Sequence, residues 1–398
     1  MAKDNTDPIV IVAGARTPMG GFQGDLSGAS AVELGATAIG AALERSGLQA
    51  DDINEVFMGC VLPAGLGHAP ARQAVLGADL ANATRATTVN KMCGSGMKAA
   101  MLAHDLIAAG AGDIMIAGGM ESMTNAPYLL PKGRDGLRMG HGHVVDHMFF
   151  DGLEDAYDAG RLMGTYAEDC ARDYQFTREA QDEYAIRSLT RAQAAIADGT
   201  FADEIVPVRI ETRRGEIVVD TDEQPGKAEI GKIPALRPAF DPEGTVTAAN
   251  SSSISDGAAA LVMMKASEAE RRGLTPIARV LGHAGHAHEA HAYPTAPIQA
   301  MRNLSAKSGV ALKDFDLFEI NEAFAVVPMA AMRDLDLPAD KMNVHGGACA
   351  LGHPIGASGA RVLVTLLTAL ERHDLKTGMA SLCLGGGEAV AMAVERMS

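Results

Sequence analysis

Ser46–Gly59 reads SGLQADDINEVFMG, and Ser308–Asn321 reads SGVALKDFDLFEIN. Each opens on a Ser-Gly pair of the kind that ends a helix. Each continues through a polar link and closes on an apolar run of strand length. The recurrence decides the fold, because the same helix-stop-then-strand unit stands near both ends of the chain. A second pair repeats in the same order. DIMIAGGME (Asp113–Glu121) and ASLCLGGGEA (Ala380–Ala389) are buried-strand runs that end in glycines. The opening run IVIVAGA (Ile9–Ala15) has a counterpart in PIARVLGHAG from Pro276. Between the first strands, Ser30–Leu48 places Val32, Leu34, Ile39 and Leu43 on one side of a helix, with Gly47 as its stop. Helices alternating with strands that are apolar throughout point to a parallel sheet covered on both faces. The chain is therefore read as α/β, with two similar βαβ-rich halves.

The middle lacks this rhythm. From about Glu121 to Val246 the chain is richer in charge. A long helical run spans Thr177 to Asp198 and closes on Gly199. EIVPVRI and EIVVD flank TRRG as a hairpin. This segment reads as an insertion able to cover a site between the halves.

Composition narrows the class. The chain has 398 residues, 47% of them hydrophobic, with 44 glycines, no tryptophan and a net charge of −16. The acidic balance argues against nucleic acid or an anionic membrane as partner. An anionic small molecule needs only a local basic patch. The five cysteines are an odd count with no CxxC pair, so neither a disulfide framework nor a zinc site is expected, and a reducing compartment is. MAKDNTDP is too polar for a signal peptide, ERMS is not a peroxisomal address, and no apolar run reaches membrane-spanning length. These point to a cytoplasmic protein.

Four polar positions stand out next to glycines or at strand ends. In VNKMCGSGMKA (Val89–Ala99), Cys93 precedes a small turn and a helix-like run. A lone thiol is usually a small buried hydrophobe. At a helix N-terminus, however, the dipole favours thiolate, and small neighbours give a substrate clearance. A nucleophilic thiol wants a base. His353, between Gly352 and Pro354 in NVHGGACALGHPIGASGARVLVTLL (Asn343–Leu367), could be a base, an oxyanion donor or a phosphate contact. Neither GxxxxGK[ST] nor a GxGxxG after the first strand is present, so nucleotide hydrolysis is unsupported. Cys383 ends a strand before three glycines, in the half opposite Cys93. Asn321 ends the strand of FEINEAFAV (Phe318–Val326). Element ends of this kind meet where two halves join.

NKMCGSGMKA, GGMESMTNAP, NEAF, GHPIGASGAR and CLGGG, in this order and nearly end to end, resemble the thiolase family. The resemblance implies the thiolase fold, two halves packed as αβαβα layers with an inserted loop domain. Residues 1–120 with 247–275 would form the N-terminal half, 121–246 the insertion, and 276–398 the C-terminal half. It implies that Cys93 is the acylated nucleophile and that His353 activates it. Cys383 would move a proton at the second substrate's α-carbon. Asn321 would hold a water of one oxyanion hole, and the N–H groups of Cys93 and Gly385 would form the other. Leu153, Met163, Ala248, Ser252, Ala323 and Phe324 match positions lining a pantetheine channel. An arginine often found near the nucleotide phosphates is replaced by Lys227 or Lys232. Two further departures are Leu162 and His345, where relatives carry His and Asn.

Within the family the chain is most similar to acetyl-CoA acetyltransferases. Acetyl-CoA, acetoacetyl-CoA and CoA are then the partners, no cofactor is needed, and a homodimer or homotetramer is expected. The alternatives are a longer-chain 3-ketoacyl-CoA thiolase, a β-ketoacyl synthase and a non-catalytic acyl carrier. The histidine-rich runs HAGHAHEAH (His283–His291) and HGHVVDH (His141–His147) match no firm metal signature, so no metal is expected.

Overall fold

The computed structural model describes residues 7–397. Most of the polar N-terminal stretch, and the last residue of ERMS, lie outside the described residues. The halves expected from the repeat are visible in the sheet. Strands β1 (Ile9–Arg16), β2 (Glu55–Gly59), β3 (Arg85–Val89) and β4 (Ile114–Ser122) open the chain. A hairpin, β5 (Val208–Thr212) with β6 (Gly215–Val219), follows in the middle. Then come β7 (Ser255–Lys265), β8 (Ala278–Ala287), β9 (Leu317–Ile320), β10 (Thr377–Leu384) and β11 (Glu388–Arg396). The main strand order is β9-β10-β11-β8-β1-β7-β4-β2-β3. Read outward from the β8·β1 seam, each side runs in the same way. The strand carrying INEVFMG matches the one carrying FDLFEI, and β4 matches β10.

The sheet is mixed, which corrects the all-parallel expectation. Only β2·β3, β2·β4 and β9·β10 pair parallel, while β7 and β11 run antiparallel to both neighbours. Every residue of β4 and all but the last of β7 are buried. A strand covered on both faces reads as the same apolar run in either direction.

The two half-sheets share just two residue pairs, Val10 with Arg279 and Ile11 with Ala278. They enclose α2 (Ser95–Ala108) and α7 (Ser358–Arg372), each of which packs on strands of both halves. Outside the first half lies α1 (Ala31–Ser46), and outside the second lies α5 (Ala296–Ser308). Helix, sheet, helix pair, sheet and helix give the five layers. Helix α1 is bounded as its sequence dictates. Ser30 and Glu33 form a reciprocal capping box, and Gly47 takes φ +70°, its N–H donating to the Glu44 carbonyl. Leu34 and Ile39 are buried, but Val32 and Leu43 are half-buried flanks. Ala38, Ala41 and Ala42 fill the buried face instead.

The central helices meet through glycine. A Cβ on Gly96 would stand 2.7 Å from the Ala360 backbone nitrogen, and one on Gly359 would stand 2.2 Å from that of Met97. Neither neighbour can rotate away. Gly96→Ala is expected to cost about 1–3 kcal/mol in chemical denaturation, the usual range for overpacking. A loss under about 0.5 kcal/mol would show that the helix pair is free to separate.

The segment between β4 and β7 contains α3 (Met163–Asp173), α4 (Arg178–Ala197) and the β5·β6 hairpin. Thr177 caps α4, and Gly199 at φ +78° follows it. Helix α4 packs on the Ala348–Leu351 turn just before His353, and α3 packs on α6 (Val326–Leu335). The hairpin packs on the other side, where Val208, Ile210 and Val219 join the core beneath α1 and Arg16 pairs with Glu204 and Asp222, so the insertion rests on both halves.

Candidate active site

The turn before α2 presents Cys93. Met92 takes φ +46°, a left-handed conformation uncommon for a long side chain. Side-chain bonds hold it there: Asn90 Oδ1 accepts from Met92 N at 3.0 Å, and Ser95 Oγ accepts from Lys91 N at 2.8 Å. Cys93 is half-buried, opening onto a cleft while protein surrounds its sulfur. Burial pushes the thiol up to about 11, and the N–H groups of Gly385 and Cys93, aimed at the sulfur, oppose this only in part. The helix N-terminus does not win against desolvation here, so the resting group is thiol, not thiolate. Two of the nearby glycines also serve another purpose than expected. Gly94 faces Leu384 and Val390, and Gly96 faces α7, so neither provides clearance for a substrate.

His353 sits at the turn into α7, 5% exposed. Ser358 Oγ donates to the Pro354 carbonyl at 2.9 Å, which leaves it to accept from His353 Nδ1 at 2.6 Å. The ring therefore carries its proton on Nδ1 and has a bare Nε2. Burial, with Arg361 nearby, pushes His353 down to about 3. Cys93 and His353 form a neutral thiol and imidazole between these limits. The rate of acetyl transfer is expected to stay flat from about pH 5 to pH 9, since His353 gains a proton only below that window and Cys93 loses one only above it. A stopped-flow pH profile that rises through an ionisation near pH 7, and keeps that rise when the buried Glu121 is replaced by Gln, would contradict the neutral pair.

Cys383 ends β10, 1% exposed, and its thiol is raised well above the usual range by burial and by Cys93. Gly386 and Gly387 then turn the chain with φ +92° and +83°. A Cβ on Gly385 would meet nothing nearer than 3.6 Å, so here there is room beside the sulfur. Asn321 does not line the cleft. It lies behind His353 with Nδ2 3.4 Å from Nε2, and its Oδ1 faces Arg361 Nη2 at 3.4 Å.

One cleft of ≈ 380 Å³ is lined by Cys93, His353, Cys383 and Gly385 together. Leu153, Met163, Ala248, Ser252, Ala323 and Phe324 line it as well. Lys227 does not. Its ammonium is held by Glu223, with Asp25 at 3.8 Å, on the side of the insertion facing Gly21. Lys232 borders a neighbouring depression that shares Ala248 and Ser253 with the cleft. Leu162 is in the cleft wall, whereas His345 is outside it, its Nε2 3.2 Å from that of His373. Phe149, Phe240 and Tyr293 were missed. They are apolar or aromatic residues scattered through loops, with nothing in the sequence to separate them from core.

The five-layer fold and the cleft agree with the comparisons. Residues 9–267 match the thiolase N-terminal domain and residues 274–396 match the thiolase C-terminal domain. The chain belongs to the thiolase family. This thiolase is 48% identical over 394 residues to an acetyl-CoA acetyltransferase of Thiocystis violacea, covering 98% of this chain and 100% of the other. It is 49% identical over 391 residues to that of Escherichia coli strain K12, covering 98% and 99%. The crystal structure of the Bacillus anthracis acetyl-CoA acetyltransferase superposes with a TM-score of 0.95 at 39% identity, covering 98% of this chain and 99% of that one.

The thiolase carries a further buried carboxylate that its sequence motif did not explain. Glu121 accepts from Val61 N, Leu62 N and Gly356 N at 2.9, 3.1 and 2.9 Å. It ties the end of β4 to the turn that carries His353, and burial pushes it up to about 7. Ser358 is the more direct support. Ser358→Ala leaves the buried Nδ1–H without an acceptor, which costs about 1–3 kcal/mol. The variant is expected to lose about tenfold or more in kcat with KM little changed. An unchanged kcat would show that Ser358 does not set the tautomer.

Proposed function

We infer that this thiolase is an acetyl-CoA C-acetyltransferase, condensing two acetyl-CoA to acetoacetyl-CoA and CoA and running the reverse thiolysis. The observation that carries the reading is the convergence of Cys93, His353, Cys383 and the Gly385 N–H on one cleft. In the first half-reaction Cys93 gives its proton to His353 Nε2 as the sulfur attacks the thioester carbonyl. The oxyanion faces the N–H groups of Cys93 and Gly385. Collapse releases the CoA thiolate, which takes the Cys383 proton and leaves as CoA. The Cys383 thiolate, strongly basic in its buried position, then removes an α-proton from the second acetyl-CoA. The enolate attacks acetyl-Cys93, and the departing Cys93 sulfur recovers its proton from His353. Every group ends as it began. The condensation involves no net oxidation or reduction, so the reading needs no redox cofactor, and CoA thioesters are substrates only.

Lys232 borders the cleft's neighbouring depression with its ammonium 2.6 Å from Glu229, and we take it as the cation for the CoA phosphates, released from that exposed pair on binding. All five cysteines are free thiols, which suits the cytoplasm. No helix among the described residues is long and apolar enough to cross a membrane. Tyr128, Leu130, Leu137, Met139 and Val144 are all at least half exposed along one stretch of the insertion, a surface suited to further copies of this chain in a homo-oligomer.

Initial rates of thiolysis across a chain-length series test the substrate. Acetoacetyl-CoA is expected to be fastest, with a drop of about tenfold or more on adding two carbons. Equal or faster turnover of six- to ten-carbon 3-ketoacyl-CoA would assign the chain to longer substrates.

A further inference from the structure

The histidine-rich stretch that opens at His283 has no part in the acyl chemistry. Its first member is buried, 7% exposed, on β8 of the C-terminal half. Its Nε2 stands 2.8 Å from Asp105 Oδ1, on α2 of the N-terminal half. His104 Nδ1 meets the same oxygen at 3.0 Å. The two imidazoles face each other edge to face with centroids 5.0 Å apart. One donor atom from each of the three side chains lies within 4.8 Å of the other two.

We propose that His104, Asp105 and His283 form a divalent transition-metal site, of which Zn2+ is the natural occupant, joining the two halves of the molecule. Two imidazoles and one carboxylate are a donor set for zinc with one position left open to water. Tetrahedral bonds to N and O of about 2.1 Å place ligand atoms about 3.3 Å apart. Two separations, 2.8 and 3.0 Å, are already near this, and the third, within 4.8 Å, needs a shift of at most about 1.5 Å. As the site stands, each imidazole donates an N–H to Asp105. Binding therefore moves each proton to the other ring nitrogen, and the carboxylate becomes a ligand instead of an acceptor. The cation beside His283, Lys307, is occupied with that residue's carbonyl at 3.1 Å.

The ion would not touch the reacting atoms. His104 lies nine residues along α2 from Ser95, about 13 Å at 1.5 Å per residue. What it would hold is the helix that begins at the nucleophile turn, clamped to a strand of the opposite half. The role is structural, and the condensation rate is expected to change less than about twofold on loading.

Zn2+ titrated into the full chain by calorimetry tests this, with Co2+ as a spectroscopic substitute. One equivalent is expected to bind, to raise Tm by several degrees, and with Co2+ to give the strong visible bands of a tetrahedral site. His283→Ala and Asp105→Asn should each weaken that equivalent at least tenfold. His288→Ala, in the same stretch but beyond the end of β8, should not. Asp105 is exposed and Asn is isosteric, so that variant keeps the test decisive even where His283→Ala folds poorly. Absence of a saturable equivalent, or an affinity unchanged in Asp105→Asn, overturns the site. The acyl-transfer reading is measured separately by turnover and does not depend on either outcome.

Discussion

Cys93→Ala is expected to abolish condensation and thiolysis together, by about 10⁴-fold or more, while leaving the fold intact. The magnitude follows from losing covalent catalysis outright, because residues acting as a unit with a nucleophile cannot replace it. The cleft supplies no second sulfur in the same place. Cys383 lies at the opposite glycine end, 1% exposed, and Cys60 is engaged with Glu121. Stability should move by no more than about 1 kcal/mol, since Cys93 is half-buried and its turn is held by Asn90 and Ser95. Circular dichroism alongside steady-state rates measures both. Residual activity within about a hundredfold of the parent would mean that the thioester carbonyl is attacked by something other than this thiol.

Cys383→Ala is expected to separate the two half-reactions. A CoA thiolate leaves a tetrahedral intermediate without an acid, so acetyl uptake from acetyl-CoA should persist within about tenfold. An α-proton does not leave without a base, and losing a positioned base costs on the order of 10² to 10⁴ in rate. Condensation should fall by about that much, and thiolysis with it, because the reverse reaction must return the same proton. The buried surroundings that raise Cys383 are what make its thiolate strong enough for this task. Single-turnover acetylation measured against steady-state condensation decides the matter. Equal loss of both steps would remove Cys383 from the α-carbon and assign it to building the cleft.

The halves of the fold were legible because β2 and β9 carry the same helix-stop-then-strand pattern, and β4 and β10 the same glycine end. The helix stops at Gly47 and Gly199 were also plain, since each acts within a few residues. Strand direction was not, because β7 and β11 are buried on both faces and an apolar run has no polarity. Cys93, His353 and Cys383 could be picked out as polar groups beside glycines. What the glycines do could not. Gly94 and Gly96 are needed by Leu384 and Ala360, which lie hundreds of residues away in sequence. Lys227 was misplaced for a related reason. A lysine beside a loop looks free in sequence, and only the fold brings Glu223 and Asp25 to it. Glu121 and the pairing of His104 with His283 were hidden in the same way, each depending on segments from opposite parts of the chain.

The central claim is an acetyl group carried on one sulfur. Incubating the protein with acetyl-CoA alone, quenching in acid and mapping peptides by mass spectrometry tests it directly. One acetyl group is predicted, on the peptide containing Cys93, present equally in Cys383→Ala, absent in Cys93→Ala, and released on adding CoA. An acetyl group found on Cys383, on Cys60 or on no cysteine at all would contradict the account.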